Sequence, residues 1–336
     1  MNKNLIINIS HPLRAITSYK KLLFKHRNFL IAPFYHAVYD ETPDFIKHLY
    51  TPRNFDCFKK DIEHFQKYYT LLETKELKDL TSNQTKFKKP PLFLSFDDGL
   101  SACLPIAEYM KQKGIPATFF ISPQFIDNKS LFHRYKASLL ISKIDSESGK
   151  NLDEVLKVYK LKNKSYLIQL LRTITYKTRN ILDDIAKLLN YDFNDFLANH
   201  KPYLSKNEVL KIKNMGFTIG AHSIDHPEYI LLNEKKQIEQ TIESVNMIMT
   251  LFNEKTSLFA FPFSDVGLKQ SFFQSLLKYG VDFTFGTSGM KQDSAQNNYQ
   301  RIPMEKSLSS AKNILHSEHI LYAFKKRLNK HKIERL

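Results

Sequence analysis

The stretch Pro91-Leu-Phe-Leu-Ser-Phe-Asp-Asp-Gly99 decides how this chain is read. Leu92 to Phe96 is a short apolar run of the kind a fully buried strand shows. It ends in two adjacent carboxylates, Asp97 and Asp98, and then a glycine. A strand covered on both faces has no use for two charges unless its end opens into a site. An unpaired buried carboxylate is so costly that such a pair is normally metal-bound, ion-paired or wet. Gly99 permits a turn that other residues resist. Ser101, as an N-cap, and Pro105, in the first turn, then predict a helix. A solvated Asp-Asp-Gly turn is the plain alternative, and only the later chain ranks it second.

Upstream, Phe29 to Tyr39 is rich in β-formers and predicts a strand, with His36 at or just past its end. Phe55 to Tyr69 predicts a helix, capped by Asn54, with Phe55, Phe58, Ile62 and Phe65 on one face. Downstream, Ile115 to Ile121 is a second buried-type strand. From about Asn128 to His200 the pattern is helical and highly charged, with no clear strand, so residues 128–200 are expected to form an inserted helical subdomain. The α/β rhythm resumes at Ser205, whose Glu208 three residues on makes a capping box. Further strands are expected at Phe217–Ala221, Leu258–Pro262, Val281–Phe285 and Tyr299–Pro303, with helices between them and a last helix over Ser310–Lys330. Repeated strand–helix units of this length imply a parallel sheet, either a barrel or doubly wound.

Composition narrows the class less sharply. The 336 residues suit one large α/β domain with an insertion, here 29–127 and 201–330 around 128–200. Cys57 and Cys103 offer neither a disulfide framework nor zinc-cage spacing, and read as core residues in a reducing compartment. Lys and Arg outnumber Asp and Glu by 50 to 34, a net charge of +16, which favours acidic partners without choosing among them. Nothing resembles an RNA- or DNA-binding motif, so nucleic acid ranks last as a partner. No apolar run approaches the roughly 20 residues a membrane helix needs. Leu5 to Ile9 is too short for a signal peptide, and a cytoplasmic location is expected. Residues 1–28 form an N-terminal amphipathic segment. Its Leu13, Ile16, Leu23 and Phe24 share a face beside Arg14, Lys20, Lys21, Lys25 and Arg27. Such a helix either packs on the domain or contacts an anionic membrane, here the inner face.

In parallel α/β folds, active-site groups sit at the C-terminal ends of strands. That rule selects three places: Asp97 and Asp98, then His222-Ser-Ile-Asp-His226, then Phe261-Pro-Phe263 with Ser264 and Asp265. Two imidazoles and a carboxylate fit a catalytic zinc-type site with an open position for water, and the spare carboxylate can serve as general base. Gly220 before and Pro227 after place the two histidines on a loop. Each piece alone is weak. A His-x-x-x-His is more often surface or core histidine, and Phe-Pro-Phe is more often packing.

Together these residues resemble the polysaccharide deacetylases of the NodB-homology type, carbohydrate esterase family 4. Ser95-Phe-Asp-Asp-Gly99 stands for the family's Thr-Phe-Asp-Asp-Gly, His222-Ser-Ile-Asp-His226 for its His-Ser/Thr-x-x-His, and Phe34-Tyr-His-Ala-Val38 is similar to a segment near the start of many such domains. The resemblance implies a distorted (β/α) barrel and a divalent metal ion, zinc or another divalent transition metal, held by Asp98, His222 and His226. It implies Asp97 as the base activating a metal-bound water that attacks the N-acetyl carbonyl of a sugar. That sugar would be a polysaccharide, a glycolipid or a surface-glycan precursor. The helical insertion would be a lid or partner surface, with Leu131-Phe-His-Arg134 at its start in reach of the site. Phe259-Ala-Phe-Pro-Phe263 keeps Pro262 and Phe263 as substrate-binding candidates but lacks the family's arginine, which braces the catalytic aspartate. Arg301 is the candidate replacement, and is also placed among the substrate-binding residues. The chain has no tryptophan for the fourth motif. For the acid that protonates the leaving amine, Ile314-Leu-His316 offers His316, in an expected helix, and His36 is the alternative. The missing motifs leave a second reading: a degenerate deacetylase fold that binds glycan without hydrolysis.

Overall fold

The computed structural model describes residues 11–81, 87–146, 149–305 and 309–336, so the apolar run Leu5 to Ile9 lies outside the described residues. Eight parallel strands form the main sheet: β1 (Pro33–Tyr35), β2 (Ser95–Phe96), β3 (Thr118–Ile121), β4 (Thr218–Ala221), β5 (Leu258–Ala260), β6 (Phe283–Gly286), β7 (Asn298–Gln300) and β8 (Ile302–Pro303). Their spatial order is β7-β6-β5-β4-β3-β2-β1-β8. Only Arg301 separates β7 from β8. One run of chain therefore pairs with β6 at its start and with β1 at its end, which brings the two ends of the order together. Arg301 N donates to Gly286 O at 3.1 Å and Ile302 N to Ala32 O at 2.7 Å, the two sides of that closure. The fold is the distorted (β/α) barrel expected.

Strand periodicity divides the apolar residues. Phe93, Phe120, Leu258, Ala260, Phe283 and Phe285 belong to one buried cluster that fills the barrel. The rings of Phe93, two residues before β2, and Phe285 on β6 stack at 4.8 Å. The alternate residues, Phe96, Phe119, Ile219 and Phe259 among them, pack outward on the helix faces of Phe58, Ile62, Ile212 and Ile248.

Most boundaries fall where local signals put them. Asn54 caps the helix Phe55–Tyr68 by accepting from Cys57 N. Ser205 and Glu208 form the capping box of Lys206–Asn214. The helix after β2 differs: it spans Cys103–Gln112 behind Ala102, so Ser101 is not its cap. Strands shorten to the few residues that reach the ladder.

Between β3 and β4 run the helices His133–Ser146, Lys150–Val158, Lys164–Thr173, Asn180–Leu188 and Phe193–His200. They share an apolar core that also takes in Ala37, Phe45, Leu100 and Tyr203. At the other end of the described chain the helix Tyr19–Lys25 buries Tyr19 and Leu23 and leaves Phe24 66% exposed, and Ile16, at the end of the separate helix His11–Ile16, is 80% exposed, so the four apolar residues do not share one face. No helix among the described residues is long and apolar enough to cross a membrane.

Candidate active site

The C-terminal ends of the strands open into one cavity of about 300 Å³, walled by His36, Asp97, Asp98, His222, His226 and Phe263 among others. The backbone there is bent for the purpose. Asp98 and Gly99 after β2, Ser223 and His226 after β4, and Phe263 after β5 all have positive φ. Left-handed non-glycine residues cost energy and gather at functional sites.

Asp98, His222 and His226 are buried, and one ligand atom from each lies within 4.8 Å of the others. Asp98 Oδ1 is 3.4 Å from His222 Nε2 and 3.2 Å from His226 Nε2. Two ligands of one zinc at tetrahedral angles stand about 3.3 Å apart. His222 is also held in orientation: its Nδ1 donates to Ala260 O at 2.8 Å, which turns Nε2 toward Asp98. Asp98 Oδ1 is buried without a hydrogen-bond partner. Burial would raise the Asp98 carboxyl, but the facing imidazoles and the His36 charge outweigh it and hold it well below the usual range. Burial pushes the His226 imidazole down, toward the neutral form a metal needs. A buried carboxylate oxygen without a hydrogen-bond partner, faced by two ring nitrogens at the spacing of ligands to one ion, fits a divalent metal.

Asp97 sits beside this triad, its Oδ2 3.9 Å from His222 Nε2. Arg301 grips it with both arms, Nη1 to Oδ1 at 2.6 Å and Nη2 to Oδ2 at 2.8 Å, and Nη1 also donates to Ser95 Oγ at 3.1 Å. The guanidinium is fully buried over the Phe34 ring, 4.3 Å from its centroid. His36 faces the cavity from the end of β1 and is ion-paired to Glu305, which follows β8. Glu305 Oε1 accepts the backbone N–H groups of His36 and Ala37, each at 2.9 Å. Burial alone would lower the His36 pKa; Glu305, then Asp98 and Asp97, outweigh it and lift it to about 9.

A family model described as polysaccharide deacetylase matches residues 84–284, more than half of the chain. The chain belongs to the polysaccharide deacetylase family. No curated protein matches it in sequence. Among solved structures it is similar to the Streptococcus pyogenes deacetylase PplD, in complex with acetate, at 14% identity and a TM-score of 0.55, covering 86% of this chain and 97% of that one. It is similar to IcaB from Ammonifex degensii at 11% identity and a TM-score of 0.54, covering 87% and 97%. A polysaccharide deacetylase from Bacillus cereus aligns at 14% identity and a TM-score of 0.51, over 86% and 68%. These likenesses bear on the fold, and the family makes the protein a carbohydrate deacetylase.

Several candidate residues of this deacetylase stand elsewhere than expected. His316 is not brought to the site. It lies on the helix Ala311–Arg327, its Nε2 3.1 Å from Thr17 Oγ1 and its ring 5.0 Å from that of Tyr19, where burial lowers its pKa. Arg301 braces Asp97 and, being fully buried, cannot also touch substrate. Pro262 is buried in the turn, while Phe263, 40% exposed, presents its ring to the cavity 5.0 Å from that of His226. Asp265 points away, into a buried network with Arg335, Asn298 and Gln300. Two residues carried no signal in the pattern. Glu305 lies outside every motif, and Tyr135 donates to Asp98 Oδ2 from the helix His133–Ser146.

Proposed function

We propose that the protein is a metal-dependent hydrolase that removes the acetyl group from an N-acetylated sugar, with Asp97 as base and His36 as acid. The observation that carries this reading is the division of one cavity. A carboxylate held by Arg301 and an imidazolium held by Glu305 both border the triad of Asp98, His222 and His226. A divalent cation bound there supplies positive charge that polarises the acetyl carbonyl and makes water easier to deprotonate.

The chain's own groups do the rest. Both Asp97 oxygens are occupied by Arg301 in part only, since each keeps a second lone pair to take the proton of the attacking water. The new C–O bond forms as that proton leaves. His36, charged at neutral pH, then gives its Nε2 proton to the amide nitrogen as the C–N bond breaks, releasing acetate and a free amine. Glu305 holds the other ring nitrogen, so the ring keeps its orientation through the transfer. Phe263 and the His36–Tyr50 ring pair, 4.9 Å between centroids, offer flat surfaces to a sugar ring.

The test is acetate release from an N-acetylglucosamine oligosaccharide by the zinc-loaded full chain, compared with Asp97→Asn. Loss of a general base costs roughly 100- to 10,000-fold in rate, while zinc content should remain that of the parent. Full activity in the variant would remove Asp97 from the mechanism. Zinc uptake with no acetate release by the parent would favour the non-catalytic glycan-binding reading.

A further inference from the structure

We infer that Tyr135 is a positioning residue for the metal centre: its hydroxyl fixes Asp98 as a ligand through one oxygen, so the helical segment between β3 and β4 completes the barrel's site. The inference rests on the proposed metal centre and extends it to a residue outside the barrel.

The two oxygens of Asp98 have separate surroundings. Oδ2 accepts the Tyr135 hydroxyl. Oδ1 has no hydrogen-bond partner and faces both histidines. A carboxylate free to rotate could offer a cation either oxygen or both. With Oδ2 tied, Oδ1 alone is presented, and the coordination positions a second oxygen would take stay free for water and substrate.

The hydroxyl is itself held in place. Tyr135 is 1% exposed, and its ring is wedged against Phe45 at 5.1 Å, Phe132 at 5.0 Å and Tyr203 at 6.2 Å between centroids. Phe132, one turn earlier, lays its ring 4.2 Å from that of His226. Phe132 N donates to the Tyr203 hydroxyl, which ties the start of this helix to the rim of the barrel. Two of the three candidate ligands are thus braced by the first turn of His133–Ser146 and the residue before it. Tyr135 lines the same cavity as Asp98, and its hydroxyl is engaged by the Asp98 carboxylate there.

The experiment compares zinc affinity, and the visible absorption of the cobalt-loaded protein, in the parent, Tyr135→Phe and Leu139→Ala. Leu139 is buried in the same helix and serves as a stability control. Losing a partner of a metal ligand typically weakens metal binding by about 10- to 100-fold. Tyr135→Phe should show that loss together with a changed cobalt spectrum, as Asp98 engages through both oxygens. Leu139→Ala should melt earlier while keeping parental affinity and spectrum. Parental affinity and spectrum in Tyr135→Phe would overturn the inference, as would an equal loss in Leu139→Ala. If the parent itself takes up neither zinc nor cobalt, the proposed metal centre fails first, a result distinct from either.

Discussion

The residue that changes most in meaning is His36. As an imidazole past the end of a strand it was one of two candidates for the acid. On the proposed reading, placement separates them: His36 lines the cavity and is paired with Glu305, while His316 packs against Thr17 and Tyr19. An acid must carry its proton into the reaction. Activity should therefore be present below the His36 pKa and fall as pH rises through it. Glu305→Gln removes the charge that raises this pKa, leaving burial, which lowers it, as the stronger influence. The alkaline limb of the kcat/KM profile should move to lower pH in that variant, with reduced activity at neutral pH. An alkaline limb that stays in place would exclude His36 as the acid. The grip of Arg301 on Asp97 was expected from the sequence, whereas the pairing of His36 with Glu305 was not legible. The partners are 269 and 204 positions apart, and only the closure of the barrel brings them together. Arg301 was suspected because the motif lacked its arginine; for Glu305 no such gap existed.

At the scale of elements, what the sequence makes legible is what one strand and its following turn carry by themselves. Ser95 to Gly99, Thr218 to His226 and Leu258 to Phe263 each end a run of apolar residues in polar or kinked chain, and each delivers its side chains to the same cavity. The helices of 133–200 were equally plain as helices, and the run Leu131–Arg134 at their start was expected at the site, where Phe132 and Arg134 line the cavity; the grip of Tyr135 on Asp98 was not legible. Tyr135 and Phe132 look like any core aromatics of an amphipathic pattern, and their orientation depends on packing against Tyr203 and Phe45. The turn after β2 shows how tightly such an element is built. Asp98 and Gly99 are consecutive left-handed residues, with φ of 72° and 68°. A Cβ on Gly99 would come 2.8 Å from Ile121 Cγ2 on β3. Gly99→Ala should lose about 1–2 kcal/mol to the left-handed backbone alone, and more to the contact with Ile121. Its urea midpoint should fall, and its zinc affinity with it, because the same turn aims Asp98. Parental stability would mean that the turn relaxes freely, against the packing described.

For the molecule as a whole, closing the barrel and assembling the site are one event. The run Asn298–Pro303 pairs with both ends of the sheet, and Arg301 in its middle inserts into the barrel beneath Asp97. A second buried arginine secures the same wall from outside. Arg335 reaches Asp265 after β5 and Asp293 before β7, and the amides of Asn298 and Gln300 donate to both carboxylates. All three charged side chains are at most 1% exposed. Two carboxylates in contact with one cation are tolerable only while the cation is there. Arg335→Met keeps much of the apolar stem but leaves the pair unbalanced. Breaking a buried ion pair from one side typically costs about 3–5 kcal/mol, so the urea midpoint should fall steeply at neutral pH. A parental midpoint would show that the clasp is not what holds β7 against the sheet.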